Sequence, residues 1–186
     1  MEVNKIISHA LQSMPPSKRQ KAFAKDTSKL IHMGLNENNY GMSPKAVAAL
    51  EDSMAGSHFY PDFAAVLLKQ KVAEQYGLKA ENVLTGAGSS AMIDMIGLTF
   101  LDEGDEVLFS TPTYGAFADM AYLNGGVPVS VPVTEEQKFN LPAMKEKIGE
   151  KTKIVVICNP NNPTGTYEPI GELRHSQIPF RRTCCW

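Results

Sequence analysis

Cysteine is scarce in this 186-residue chain: Cys158 stands alone and Cys184 and Cys185 are adjacent. An odd count in that spacing supports neither a disulfide framework nor a metal-ligand set, so neither secretion nor a zinc site is expected. The four histidines, His9, His32, His58 and His175, lack ligand spacing as well. Long apolar runs are also missing. Residues 1–20, MEVNKIISHALQSMPPSKRQ, contain no continuous apolar core of a secretory leader, and no later segment is long enough to span a bilayer. A cytoplasmic location without membrane contact is the expectation. Basic charge is in short supply too, with a formal net charge of -2 and a pI near 6.1. Nucleic acids and anionic membranes select basic clusters, so a small-molecule substrate is expected instead.

What is present is enough apolar material, 43% of residues, to bury a core. Residues 1–30 are polar, lysine-rich and weakly periodic, which reads as a loosely attached arm with a short helix over Lys5–Gln12. At Ser43 the pattern changes. Ser43 suits a helix cap, Pro44 suits the first helical position, and Val47 with Leu50 begins an apolar face. A second helix is expected from about Asp62 to Tyr76, ended by Gly77.

Thereafter short apolar runs alternate with helical stretches, the signature of βαβ units and a mainly parallel sheet. Strands are expected at Val83–Thr85, Glu106–Ser110, Val127–Val131 and Lys153–Cys158. Helices are expected over Ser89–Leu101, Gly115–Asn124 and Pro142–Ile148. The fold class is therefore α/β. In such sheets ligands sit beyond the carboxyl ends of the strands, which directs attention to three loops.

The first, Thr85-Gly86-Ala87-Gly88-Ser89-Ser90, leaves a strand and opens a helix, so free backbone N–H groups and two hydroxyls suit an anion such as phosphate. A tight turn with Ser89 as helix cap is the plainer alternative. The segment also fits a dinucleotide fingerprint, yet that motif needs an acid at the end of the next strand. That strand ends Phe109-Ser110-Thr111-Pro112, with Asp105 and Glu106 at its beginning, so the dinucleotide reading loses its second support. The second loop, Thr111-Pro112-Thr113-Tyr114-Gly115, puts an aromatic ring where a flat heterocycle can stack. The alternative is a tyrosine packed on the helix that follows. The third, Asn159-Pro160-Asn161-Asn162-Pro163-Thr164-Gly165, follows the apolar Ile154–Ile157 run and fixes side-chain amides in a rigid turn. A cis bond is expected at Asn162-Pro163.

Four segments together carry a resemblance: Leu35-Asn36-Glu37-Asn38-Asn39-Tyr40-Gly41 with Ser43-Pro44-Lys45, then Tyr60-Pro61-Asp62, the Gly88-Ser89-Ser90 loop, and Asn159 through Gly165. In this order the chain resembles the fold-type-I pyridoxal-phosphate (PLP) aminotransferases of class I and II, most closely the histidinol-phosphate branch. The resemblance covers about residues 31–171. It implies a PLP-transferase-like large domain, pyridoxal 5'-phosphate as cofactor, an amino acid or amino-phosphate donor with a keto-acid acceptor, and a homodimer. By the same resemblance Gly88, Ser89 and Ser90 hold the cofactor phosphate, Tyr114 stacks on its ring and Asn162 donates to its phenolic oxygen. Tyr60 reaches the phosphate of the neighbouring subunit, and Asn36, Glu37 and Tyr40 close over substrate. Asn39 replaces the family's usual proline, and Ser90 and Ala91 replace acids often found in the phosphate loop. These departures leave the cofactor expectation intact and a related amino donor open.

The family also requires a Schiff-base lysine and an acid on the pyridine nitrogen. The residues after Gly165 include neither lysine nor aspartate. No other lysine is assigned the role, so no catalytic residue is expected within this chain, which is expected to be inactive by itself. Three of the four arginines (Arg174, Arg181, Arg182), two cysteines and Trp186 crowd into residues 172–186, an atypical tail that suggests a changed reading frame. The expected organisation is an arm and substrate-closing segment over 1–42, a partial PLP-binding domain over 43–171 truncated after about four strands, and the tail. Exposed sheet edges and apolar faces would then favour self-association. A non-catalytic fragment, and a lyase or decarboxylase on the same scaffold, stand as alternative functions.

Overall fold

A short strand buried on both faces needs helices above and below it, and the Glu106–Thr111 run has both. A computed structural model of the chain describes residues 8–15, 31, 33–176 and 178. Most of the expected arm, His32, and the Cys184, Cys185, Arg181, Arg182 and Trp186 end of the tail lie outside the described residues. In chain order the helices are α1 (His9–Ser13), α2 (Pro44–Ser53), α3 (Val66–Tyr76), α4 (Gly88–Phe100), α5 (Ala116–Leu123), α6 (Leu141–Lys147) and α7 (Ile170–His175), and the strands are β1 (Glu106–Thr111), β2 (Val127–Pro132) and β3 (Thr152–Val155). None of these helices is long and apolar enough to cross a membrane. The chain divides into two units, one from residues 1–15 with 86–186, the other from residues 16–85.

In the first unit the sheet is parallel with order β2-β1-β3. The register runs from Glu106 opposite Val127 to Thr111 opposite Pro132, while the β1–β3 ladder slips by a residue between Glu106 and Val107. Side chains of β1 alternate between two cores, as the two-residue period of a strand requires. Val107 and Phe109 pack with Ile93 of α4 and with Ala116, Met120 and Ala121 of α5. Leu108 packs on the other face with Val131, Leu141, Met144, Leu173 and Ile178. Leu173 and Ile178, in the segment expected to be an atypical tail, are therefore buried core residues.

The sheet has three strands among the described residues rather than the expected four. Val83–Thr85 forms no ladder; Val83 is extended, with φ -111° and ψ 124°, but β1 has β2 on one side and β3 on the other. An extended run becomes a strand only with a partner for its backbone groups.

The second unit carries α2 and α3. Ser43 sits at the cap position of α2 with Pro44 first in the helix, as expected, but its hydroxyl makes no capping bond. Val47 and Leu50, expected to face a core, are exposed. Helix α3 begins at Val66, four residues later than the sequence suggests, because Asp62 stays outside it. Its carboxylate accepts from the N–H groups of Ala64 at 3.0 Å and Val66 at 2.7 Å. The end is as expected: Gly77 turns left-handed at φ 65°.

Candidate functional site

Parallel strands end on the same side of a sheet, so the loops after β1 and β3 emerge together. The segment opening α4 joins them. Helix α4 starts at Gly88, not at Ser89, and its cap residue is Ala87, which offers no side-chain capping bond. Gly88 has φ +79° and donates its own N–H back to the Gly86 carbonyl at 2.8 Å. A side chain would be strained at that φ, so glycine is what lets the chain turn sharply into the helix. The N–H groups that follow are the ones a helix leaves without intrahelical acceptors. Among the described residues no side-chain capping bond reaches them from the cap position, and the Ser89 and Ser90 residues beside them are exposed.

The Ser90 hydroxyl lies 3.0 Å from the Tyr114 hydroxyl, linking the start of α4 to the loop after β1. Tyr114 is half-buried, and its ring meets Phe117 edge-on with centroids 5.9 Å apart. The alternative of a tyrosine packed on the helix that follows is therefore met through Phe117 of α5.

The loop after β3 joins through Asn161, which is 4% exposed. Its side-chain amide donates to the Pro112 carbonyl at 3.0 Å and to Thr164 Oγ1 at 2.9 Å, and accepts from Thr113 Oγ1 at 2.7 Å. Asn159 is occupied within its own loop: Nδ2 donates to the Glu168 carbonyl at 2.8 Å and Oδ1 accepts the Glu168 N–H at 2.9 Å. Asn162 is exposed. Of three asparagines in one turn, two serve the turn's own geometry. Asn162-Pro163 is cis, as expected, and so are Thr111-Pro112 and Asn159-Pro160. Beyond the loop, Thr166 Oγ1 donates to the Gln137 carbonyl at 2.7 Å. That turn also holds Glu136, whose carboxyl is kept below its ordinary range by hydrogen bonds from its own backbone N–H and the Thr134 hydroxyl.

Of the residues singled out in the sequence, the structure brings Gly88, Ser89, Ser90, Tyr114 and Asn162 onto three loops of one unit. The other four belong to the second unit. Asn36 is left-handed at φ 54°, and Glu37 is exposed. Tyr40, fully exposed, lies within a turn in which Asn38 donates to the Gly41 carbonyl at 2.8 Å and accepts from the Tyr40 N–H at 3.1 Å. Tyr60 is exposed, its ring 5.7 Å from that of Phe63. Thr113, Asn161, Thr164 and Thr166 were not legible as a network. The signal available was the density of hydroxyl and amide side chains around the prolines, which does not say which of them meet.

The three loops contain no lysine or arginine, so any anion they hold is met by N–H dipoles and hydroxyls. Among the described residues no group of three histidine, cysteine, aspartate or glutamate side chains is placed to hold a metal ion.

A family model described as aminotransferase class I and II matches residues 28–175. The chain is 37% identical over 138 residues to histidinol-phosphate aminotransferase 2 of Carboxydothermus hydrogenoformans, covering 74% of this chain and 38% of that relative. It is 37% identical over 131 residues to an aromatic amino acid aminotransferase of Corynebacterium glutamicum, covering 70% and 38%. Among solved structures, histidinol-phosphate aminotransferase from Sinorhizobium meliloti in complex with pyridoxal-5'-phosphate superposes with a TM-score of 0.79 over 92% of this chain and 47% of that one. At 24% identity that likeness concerns the fold alone, and it bears out the α/β fold class read from the sequence. The chain spans 38% of the length of the two curated relatives.

Proposed function

We propose, for a chain that belongs to the class I and II aminotransferase family, that its three loops form the phosphate and ring end of a site for pyridoxal 5'-phosphate. The observation that carries this reading is the 3.0 Å contact between the Ser90 and Tyr114 hydroxyls. It sets a half-buried aromatic ring beside the first turn of a helix whose cap residue, Ala87, makes no side-chain capping bond.

Those residues fit the group. A phosphate at the start of α4 meets the N–H groups of the first turn together with the Ser89 and Ser90 hydroxyls, and the helix dipole favours its charge. Gly88 supplies the turn that aims them. Tyr114 stacks on the ring, and the exposed Asn162 amide donates to its phenolic oxygen. When bound, the cofactor supplies the electron sink that lets an amino group pass from a donor to a keto acid. The residues of this chain bind and orient; none of the three loops holds a lysine to move the proton. In the whole enzyme Asn36, Glu37 and Tyr40 close over substrate, and Tyr60 reaches the cofactor phosphate of a second subunit in a cytoplasmic homodimer. The names of the relatives favour an amino acid or amino-phosphate donor.

Pyridoxamine 5'-phosphate tests the reading, since its amine does not condense with surface lysines. Titration by calorimetry should give saturable binding, with dephosphorylated pyridoxamine bound at least about tenfold more weakly, the worth of one charge-assisted hydrogen bond. Equal affinity for the two forms would contradict the assignment of the α4 start as a phosphate site.

A further inference from the structure

We infer that Asn161 is a positioning residue of this site: its buried amide sets the loop bearing Tyr114 against the loop bearing Asn162. The inference rests on the cofactor reading above and deepens it.

The hydrogen-bond directions are fixed by chemistry. The Pro112 carbonyl only accepts, so the Asn161 nitrogen must face it, and the amide oxygen must face Thr113. Thr113 therefore donates its hydroxyl proton to Asn161. The second amide proton goes to Thr164 Oγ1. Thr166 donates its own proton to the Gln137 carbonyl, so the 2.7 Å contact between the Thr164 and Thr166 hydroxyls runs from Thr164 to Thr166. The result is a one-directional chain, Thr113 to Asn161 to Thr164 to Thr166 to the Gln137 carbonyl. Hydrogen bonds aligned head to tail strengthen one another, and a buried amide with every side-chain proton engaged has one orientation.

Its anchor points explain what it positions. Pro112 and Thr113 immediately precede Tyr114, and Thr164 lies two residues beyond Asn162. Two backbone bonds hold Asn161 itself, from its N–H to the Thr166 carbonyl at 2.9 Å and from the Gly165 N–H to its carbonyl at 2.7 Å. The amide thus joins segments 49 positions apart at the end of the sheet. The phosphate end of the site lies at the start of α4 and makes none of these bonds. Loss of the bridge should weaken contacts to the cofactor ring and leave contacts to its phosphate.

The test compares two probes, pyridoxamine 5'-phosphate and inorganic phosphate, on the full chain and on Thr113→Val, Thr113→Ser and Asn161→Ala. Thr113→Val keeps the shape of the side chain and removes only the donor, so it stays informative if Asn161→Ala fails to fold. Thr113→Val should bind pyridoxamine 5'-phosphate roughly tenfold more weakly, the consequence of leaving one buried acceptor unmet, with phosphate affinity unchanged within about twofold. Thr113→Ser should restore the wild-type value. A folded Thr113→Val with undiminished affinity, or with equal losses for both probes, overturns the positioning role alone. A wild-type chain that binds neither probe overturns the cofactor reading and this inference with it.

Discussion

Gly97 sits where α4 meets α5, and a Cβ there would lie 2.6 Å from Met120 Cγ and in still closer contact with Asn124 Nδ2. Glycine in a helix interior costs about 0.5–1 kcal/mol against alanine, so Gly97→Ala gains that much from propensity. Crowding works against it: Met120 is 2% exposed, and the Asn124 amide is tied to the Met120 carbonyl at 2.8 Å. Overpacking of a filled core costs about 1–3 kcal/mol, so crowding should outweigh propensity. Urea denaturation of Gly97→Ala should show a lower midpoint at unchanged slope; a raised midpoint would mean the neighbours yield freely. At this same scale the sequence was only partly legible. The asparagine-rich turn announced fixed amides, but composition does not distinguish Asn159 and Asn161, whose side chains hold the turn, from the exposed Asn162. That distinction comes from partners far along the chain, such as Pro112 and Thr113.

Helix boundaries show how local chemistry places an element. The sequence suggests that α3 begins at Asp62, whereas the carboxylate of Asp62 gathers the N–H groups of Ala64 and Val66, and Ala65 turns left-handed at φ 48°. An aspartate satisfies N–H donors best from just outside a helix, and this one does so from four residues before the first helical position. Asp62→Ala should cost about 1 kcal/mol and speed hydrogen exchange at the Ala64 and Val66 amides; unchanged exchange there would show that the carboxylate contributes nothing. The strands divide similarly. Those at 106–111, 127–132 and 152–155 pair with one another and were legible from their apolar runs. Val83–Thr85 has the same composition without a partner, and a short apolar run does not reveal whether a neighbour exists.

Across the whole molecule, the α/β class, the carboxyl-end loops and the family were legible because they follow from element order and from four motifs in sequence. The burial of Leu173 and Ile178 in the α6 face of the core was not. Composition had set that segment apart, and only packing against Leu108 and Met144 joins it to the sheet. The central claim is that the α4 start takes a phosphate while the loops after β1 and β3 take the ring attached to it. Amide NMR of the isotopically labelled chain, titrated with inorganic phosphate and then with pyridoxamine 5'-phosphate, tests it most directly. Both ligands should shift the Ser89 and Ser90 amides, and the ring-bearing ligand alone should also shift Tyr114 and the Asn162 side-chain amide. Unmoved Ser89 and Ser90 signals in the presence of bound pyridoxamine 5'-phosphate would contradict the account.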